Sequence, residues 1–550
     1  MSEQSKKQSF LGGAAILAGA VAVVKVIGAL YKLPLNNILG DVGKTYFQTA
    51  YEIYNVLLTV STAGLPLAIS KLTSQAHARG RENEKRKIFR TAIWLFFALG
   101  LIGSCLMFFG AQGLADFQRN SMAAAPIRAL APAVFCVCLL ACMRGYTQGQ
   151  GNMGPTAVSQ VLEALCKLGV GLPLAWYILK KTQEAGNAAQ LAAGSDGMEN
   201  VAAGAIFGVT VGTILSMVFL ILYLLRHRDN TPSDDVPRSG GYLLRRILAI
   251  GVPITLGNCA MSIITMIDTK IILGRLQSGL GLTEVAASAL KGQYSYAMDM
   301  LNMVASFVYP VTMSLIPFAA AALAQGDKRG ASRTVNSAFR VLALLALPAG
   351  VGLSVLSTPI MVLVLPAQRE GALAAGPHLR ILGIACIFVC LMILTNAILQ
   401  TYGKEHLPIF TVIAGGVVKI VMNYILVGNP NIGINGAPWS TLCCYGVIAG
   451  LNLFFVWKYS PRKPHYFRLF ARPVFASAIM GVTAWAVCSL VAKLLSGHSA
   501  YGANAIATLC GILAGVAVYG VLVIALGLLR ADDVKNIRGG QKLIRLLHLR

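Results

Sequence analysis

Apolar runs long enough to cross a lipid bilayer recur along almost the whole chain. They lie near 10–31, 47–70, 91–111, 127–146, 157–179, 203–225, 246–273, 288–318, 338–364, 379–401, 408–427, 437–457, 473–495 and 504–529. A helix rises about 1.5 Å per residue, so about 20 residues cross a hydrocarbon layer of about 30 Å. Each run reaches that length. A water-soluble fold would have to bury all fourteen, and it would need a charged surface that is missing. Only 12% of the 550 residues are charged, against about 25% in an ordinary soluble domain. The expected fold class is therefore an all-α polytopic membrane protein with 14 transmembrane helices. Several runs contain Pro or Gly, which membrane helices tolerate. The runs at 246–273 and 288–318 are long enough to tilt or kink.

The few charges are lopsided, with 46 Lys and Arg against 21 Asp and Glu, a net charge of +25. A nucleic-acid binder would account for that sign but not for the missing polar surface. In a membrane protein, excess Lys and Arg mark the cytoplasmic side. With the N-terminus inside, 31 basic residues fall in inside segments, 10 outside and 5 within spans. The inside set includes seven between Lys71 and Arg90, five from Lys458 to Arg472 and six from Arg530 to Arg550; the outside set includes Lys32, Lys44 and Lys291. The first run, preceded by Lys6 and Lys7, is too long for a signal-peptide core and reads as an uncleaved helix. An even count puts both termini in the cytoplasm. The basic, leucine-bearing stretch 531–550 reads as a cytoplasmic amphipathic tail on the anionic inner leaflet or as a plain basic tail.

No connecting loop offers room for a soluble domain, and no G-x-x-x-x-G-K-[ST] pattern is present. That argues against a self-contained ATP-driven pump. Cys136, Cys138, Cys142, Cys386, Cys390, Cys443 and Cys444 lie in apolar runs with no His or acid at ligand spacing. They read as packing residues, with no metal site and no disulfide expected.

The two halves resemble each other. GLPLAISKLTSQAHARG from Gly64 and LIPFAAAALAQGDKRG from Leu315 share Pro-x-Ala, then Gln, then a basic turn. Gln148, Pro155 and Lys167 match Gln400, Pro408 and Lys419. Six spans separate the copies, so both keep one orientation and are related by an axis along the membrane normal. The expected organisation is two six-helix lobes, residues 1–232 and 233–460, followed by two C-terminal helices in 461–530 and the tail at 531–550. A transport site is expected between the lobes.

Ionisable groups at membrane depth cost roughly 2.5–3.5 kcal/mol each on insertion scales, so each needs a partner or a watery cavity. They are Lys25, Glu163, Lys167, Asp268, Lys270, Asp299 and Lys419. Glu163 and Lys167 are four apart and share a helix face; they form either a structural pair or part of a site. Lys25 and Lys419 have no acid within one turn on their own helices, and Lys419 is the repeat mate of Lys167. Asp268 and Asp299 are candidates for an ion or proton site. Arg144, at the inner end of the fourth span, fits a topology signal or a ligand contact. Glu52 and Lys493 sit near span ends, where they are expected to snorkel. Four lysines against three acids leave a cationic interior suited to an anionic group such as a phosphate or diphosphate.

GLPLAISKLTSQAHARG at 64–80 and MRGYTQGQGNMGPTAVSQVLEALCKL at 143–168 closely resemble the stage V sporulation protein B / YtgP family. That family is part of the MOP superfamily, with the MurJ-like lipid II flippases, the polysaccharide flippases and the MATE exporters. The shared pattern is R-G-x-x-Q-G followed by M-G-P-T-A-V-S-Q-V-x-E. The resemblance implies a multi-pass protein of the bacterial cytoplasmic membrane that moves an undecaprenyl-diphosphate-linked cell-wall precursor, lipid II, across it by alternating access. It implies that Lys25, Arg144, Glu163, Lys167 and Lys419 contact the head group, with Gln148 and Gln160 matching the family pattern. Lys167 stands where the family more often has Arg. It also implies a groove for the lipid tail formed by the last two helices.

No bond is made or broken in such a process, so the chain is expected not to be an enzyme. No cofactor and no nucleic acid are expected. The driving force would be the membrane potential, Na+ or H+. Its partners would be the glycan lipid, membrane lipids and cell-wall synthesis proteins. Three alternatives stay open: a flippase for another lipid-linked polysaccharide or a teichoic precursor, a cation-coupled MATE-type multidrug exporter, and a non-transporting membrane scaffold for cell-wall synthesis. The topology is directly testable. Alkaline phosphatase fused after Lys181 is expected to be active outside the membrane, and the same reporter fused after Asp234 to be silent; the reverse pattern would invert the orientation.

Overall fold

The computed structural model describes residues 3–184, 197–227, 232–308, 326–460, 462–495 and 499–528. Among them the chain is helical with no strand. The helices are α1 (Glu3–Thr62), α2 (Leu65–Ala78), α3 (Glu82–Phe109), α4 (Ala111–Phe117), α5 (Ala124–Gly149), α6 (Gly154–Cys166), α7 (Leu172–Thr182), α8 (Met198–Arg226), α9 (Gly240–Leu280), α10 (Glu284–Ser306), α11 (Lys328–Val355), α12 (Ser357–Val364), α13 (Arg369–Thr401), α14 (His406–Leu426), α15 (Gly436–Tyr459), α16 (Tyr466–Leu494) and α17 (Ala500–Ala525). A five-residue π-helix, Lys167–Gly171, joins α6 to α7. The chain forms two compact units, Met1–Gly292 and Gln293–Arg550.

In the first unit α5 is the central column, with α1, α2, α3 and α8 packed on it. The glycines of the R-G-x-x-Q-G motif explain how α2 comes so close. A Cβ on Gly145 would lie 2.7 Å from the Pro66 carbonyl oxygen, and one on Gly149 would lie 2.7 Å from that of Ser70. Both pairs are one helical turn apart, so the motif is a docking face for α2. α6 packs on α1 and α8, and its close approach to α8 again needs small residues. A Cβ on Gly212 of α8 would meet the Glu163 carbonyl oxygen at 2.9 Å. In the second unit α13 takes the central place, with α11, α12 and α15 packed on it, α14 on α15, and α16 on α11 and α17.

The internal repeat has a structural counterpart. α5 closes on Gly151, three residues after Gln148, and α13 closes on Gly403, three residues after Gln400. Both glycines are left-handed, with φ of 80° and 70°, a conformation that favours Gly. The next helix starts three residues further on in each copy, at Gly154 and His406.

Eleven helices among the described residues are long and apolar enough to span a membrane, or twelve when the bent α9 is included. The expected fourteen runs map differently at two places. The first falls on α1 before its kink at non-helical Gly40 (φ 61°), the second on α1 after the kink and on the start of α2, and the eighth extends into 309–325, outside the described residues. The stretch 531–550 also lies outside them. The compact units part at Gly292, later than the lobe boundary read from the repeat, because α9 packs on α1, α2 and α3.

Three charge placements need correction. Lys44, expected in an exterior loop, is buried in the second half of α1 and donates to Asn36 Oδ1 at 2.8 Å. Lys291, expected outside, is buried on α10. Glu52, expected to snorkel, is 3% exposed and accepts from Gln48 Nε2 at 3.1 Å. Lys44 lies between two runs on a helix that continues through them, and Glu52 and Lys291 lie a few residues inside the ends of theirs, so all three are inside the packed bundle.

Many large apolar side chains remain exposed, among them Trp94, Phe109, Leu222, Leu225, Leu513 and Val516. Such a surface would aggregate in water and is suited to lipid contact. Away from the apolar layer, α3 begins without a cap from its own N-cap residue. Asp235 supplies one from the segment before α9, accepting from the backbone N–H of Asn83 and of Glu84, each at 2.9 Å. Burial works against this carboxylate, but the Ser233 hydroxyl and the two N–H groups outweigh it and hold it below the usual range. A lowered folded value means the strap contributes above the ordinary Asp value of 3.8 and is lost as pH falls through the lower one. Asp235→Ala is expected to weaken this strap by about 1 kcal/mol, the usual worth of a helix cap, seen as faster hydrogen exchange at the amides of 82–86. Unchanged exchange would contradict the assignment.

Candidate functional site

Three of the residues singled out from the sequence, Arg144, Glu163 and Lys167, meet in the first unit. Glu163 on α6 binds two cations at once. Its Oε1 lies 3.1 Å from Lys167 Nζ, one turn further along, and its Oε2 lies 3.4 Å from Arg144 Nη2 on α5. Arg144 Nε also donates to Ser159 Oγ at 2.9 Å. The side chains of Arg144, Glu163 and Lys167 are 14%, 15% and 23% exposed. The group is largely withdrawn from solvent yet reachable, and two cations on one carboxylate leave it with a surplus positive charge. Arg144 is therefore part of a membrane-depth ionic group rather than a topology marker alone.

The local structure holds this group firmly. Ser216 of α8 donates its hydroxyl to the Ser159 carbonyl at 2.9 Å, and Gly212 fits against Glu163. Lys167 opens the π-helix, a wide turn that often marks functional positions in helices.

Aromatic residues of α1 border the group, and reading the charges alone misses them. Tyr31 and Tyr51 interact electrostatically with Lys167, and Tyr54 with Glu163 and Arg144. Tyr31 donates its hydroxyl to the Ala205 carbonyl at 3.3 Å. Phe47 stacks on Tyr51 at 5.8 Å, and Tyr51 meets Tyr54 at 5.6 Å. The spacing 47, 51, 54 puts the three rings on one helix face, and that periodicity is the sequence signal for them. Gln160, one turn before Glu163, has its Oε1 buried with no hydrogen-bond partner among the described residues. It offers an acceptor on the same side of α6.

Asp268 belongs to a second buried charged group in the first unit. Glu52 of α1 interacts with Lys291 of α10 and with Asp268 of α9, and all three are buried. Two acids and one cation meet here, the reverse of the first group's residue types. Lys270, two residues on, places its ammonium 3.4 Å from the centre of the Phe117 ring, a cation–π contact. Lys25 is exposed on the first half of α1.

Lys419 and Asp299 lie in the second unit, both buried, on α14 and α10. Gly415 stands one turn before Lys419, as Glu163 stands before Lys167, and a Cβ there would collide with Ile448. The repeat thus carries the acid in one copy and close helix packing in the other. Where Arg144 meets Ser159 in the first copy, the second has Asn396 bonded to Asn452 and Asn452 to Thr411, each at 2.8 Å.

The group is testable as a unit. Glu163→Gln leaves Arg144 and Lys167 facing each other without a counter-charge and is expected to lower unfolding free energy by on the order of 2 kcal/mol. Arg144→Gln in the same chain should cost less than the sum of the single changes, with a coupling of at least about 0.5 kcal/mol in detergent unfolding curves. Strict additivity would contradict the bridge.

Comparison with known proteins gives the same fold. The profile of the family described as polysaccharide biosynthesis protein matches residues 10–322, and that of MatE matches 253–425. Three proteins of Bacillus subtilis (strain 168) align over nearly the whole chain: the membrane protein YabM (25% identity, 98% of this chain and 96% of that one), stage V sporulation protein B (23%, 96% and 98%) and the lipid II flippase MurJ (24%, 92% and 94%). An inward closed structure of lipid II flippase MurJ superposes with a TM-score of 0.64 at 13% identity, covering 93% of this chain and 99% of that one. An inward-facing MATE transporter of the MOP superfamily gives 0.60 at 14%, covering 82% and 98%. With its apolar helices of spanning length, the chain is a multi-pass protein of the bacterial cytoplasmic membrane. It belongs to the polysaccharide biosynthesis protein family.

Proposed function

We propose that this protein is a flippase that carries an undecaprenyl-diphosphate-linked cell-wall precursor, lipid II, across the cytoplasmic membrane by alternating access. The observation that carries the proposal is the Arg144–Glu163–Lys167 group. Two cations are held at membrane depth by one carboxylate, so part of their desolvation is already offset before any ligand arrives. A diphosphate offers more negative charge than one carboxylate and can take over both cations. Arg144 presents a planar fork suited to phosphate oxygens, and Lys167 acts as a compact point charge. The rings of Tyr31, Tyr51 and Tyr54 offer flat faces and hydroxyls to a sugar, and the free Gln160 oxygen accepts from a hydroxyl or amide. Lys25 and Lys419 are the further cations of the path. The relatives named for lipid II flipping and for sporulation support this substrate class.

The two buried carboxyls of the Glu52–Asp268–Lys291 group suit coupling to a cation or proton, with Asp299 as a further carboxyl. The MatE match over 253–425, which includes Asp268 and Asp299, favours a second reading, a cation-coupled exporter. The two readings separate in cells. In a strain depleted of its own peptidoglycan flippase, the wild-type chain is expected to restore growth, Lys25→Ala and Lys167→Ala to fail, and Lys167→Arg to retain function. Full activity of both alanine variants at normal expression would sink the site assignment. Drug resistance that is gained on expression and lost in Asp268→Asn would favour the exporter.

A further inference from the structure

A line of buried polar groups in the first unit leads away from the Glu52–Asp268–Lys291 group. Two helix faces build it. Thr45, Thr49 and Glu52 are spaced i, i+4, i+7 on α1, and Glu284, Ser288 and Lys291 have the same spacing on α10, so each set lies along one face. The faces meet where the Thr45 hydroxyl donates to the Ser288 carbonyl at 2.7 Å and where Glu52 interacts with Lys291. The turn after α4 closes over the other end. Asn120 Nδ2 donates to Thr49 Oγ1 at 3.0 Å, and the Ser121 hydroxyl donates to Glu284 Oε1 at 2.8 Å. Tyr46 of α1 interacts electrostatically with Glu284. From Glu284 to the level of Glu52 the line follows about 10 Å of helix.

Polar atoms along this line are sealed off without a protein partner. Tyr46 Oη, Gln118 Oε1 and Nε2, Asn120 Oδ1 and Ser288 Oγ are buried with no hydrogen-bond partner among the described residues. Their four residues are all 0% exposed. Glu52 Oε2 and Thr269 Oγ1 are in the same position at the inner end. Those two lie against each other, so a small rotation pairs them and the argument does not need them. The other five atoms sit on α1, α10 and the turn after α4, which the bonds above bring together. Leaving such atoms dry is costly. Groups of this kind are ordinarily satisfied by internal water, which needs several polar partners in one place.

The Glu284 end faces outward. Arg119 and Arg275 belong to segments that the charge distribution assigns to the outside. Gln277 Nε2 ties the end of α9 to the Arg119 carbonyl at 2.7 Å, and Gly279 and Thr283 beside it are exposed. The inner end stops at groups that exchange protons. The Glu52 carboxyl faces the Lys291 amine of α10, Asp268 and Thr269 of α9, and Gln48 of its own helix. We propose that this line is a hydrated path by which protons from the outer side of the membrane reach Glu52. Water and hydroxyl groups both donate and accept, so they pass a proton along, and buried carboxyls in spans are the usual stations of such relays. The inference rests on the reading of the Glu52–Asp268–Lys291 group as a coupling site and names the proton as its ion.

The test uses the full-length protein in vesicles of defined orientation, with hydroxyl radicals and dicyclohexylcarbodiimide as probes. Radicals generated in water oxidise side chains that touch it. Tyr46 is expected to be labelled although buried, and Tyr294, equally buried but paired with Thr441 Oγ1 at 2.7 Å, to stay unlabelled. The carbodiimide reacts with a protonated carboxyl, so its label on Glu52 should rise as the outer pH falls at fixed inner pH. Gln118→Leu and Ser288→Ala should slow that response at least fivefold, and Gln112→Leu, exposed on α4, should not. Tyr46 as silent as Tyr294, a Glu52 label that follows the inner pH, or equal responses in all variants would overturn the proposal. Protection of Glu52 by Na+ at constant pH would also overturn it and assign the site to a metal cation. A dry line predicts that Gln118→Leu melts higher, because it removes two unpaired buried atoms; a hydrated one predicts no gain. If Gln118→Leu does not fold, Ser288→Ala carries the test. If protons reach Glu52 from outside while Glu52→Gln still moves lipid II at the wild-type rate, the path stands and the coupling reading falls.

Discussion

The candidate site depends on one carboxylate that holds two cations at membrane depth. Without Glu163, Arg144 and Lys167 would face each other across the α5–α6 contact in a medium that screens charge poorly. With it, they are fixed in position and a surplus positive charge remains. An ion pair in such a place adds little net stability, because desolvation offsets most of the attraction. Its value is in keeping two cations together and available, and the helices around it are arranged to that end. Gly145 and Gly149 let α2 dock on α5, Gly212 lets α8 close on α6, and Ser159 and Ser216 anchor Arg144 from the α6–α8 side.

The same chain carries a second buried group of ionisable residues in a separate place. Glu52, Asp268 and Lys291 form a buried group of two carboxyls and one amine on α1, α9 and α10. α1 contributes to both groups, through Tyr31, Tyr51 and Tyr54 to one and Glu52 to the other, and it is bent at Gly40 between Tyr31 and Tyr51. A single helix thus borders both charged groups.

Much of this was legible in the sequence. The apolar runs identify the fold class, since nothing but membrane helices can use so many. The Glu163–Lys167 pair follows from a spacing of four, and the Gln148 and Gln400 landmarks locate matching turns closed by Gly151 and Gly403. Other features were hidden for physical reasons. Arg144 sits at a span end, where a topology signal and a site residue look alike, and only the fold brings Glu163 to it. Lys44 lies between two apolar runs, and Glu52 and Lys291 lie close to the ends of theirs, so hydropathy places them at or near the surface, whereas the helices carry all three into the bundle. The tyrosines were visible as a periodicity but carry no charge to draw attention. The joining of the first two runs through Gly40 has no sequence mark beyond a glycine in a polar stretch.

The central claim is that two cations held by Glu163 carry a lipid-linked diphosphate across the membrane. The most direct measurement uses vesicles that contain only this protein and fluorescent lipid II, with transbilayer movement read from the fraction quenched by an added impermeant reagent. The wild-type chain is expected to move the lipid. Lys167→Ala is expected to slow it by at least tenfold while leaving the folded fraction in the vesicles unchanged. Equal rates for wild type and Lys167→Ala, or no movement above protein-free vesicles, would contradict the account.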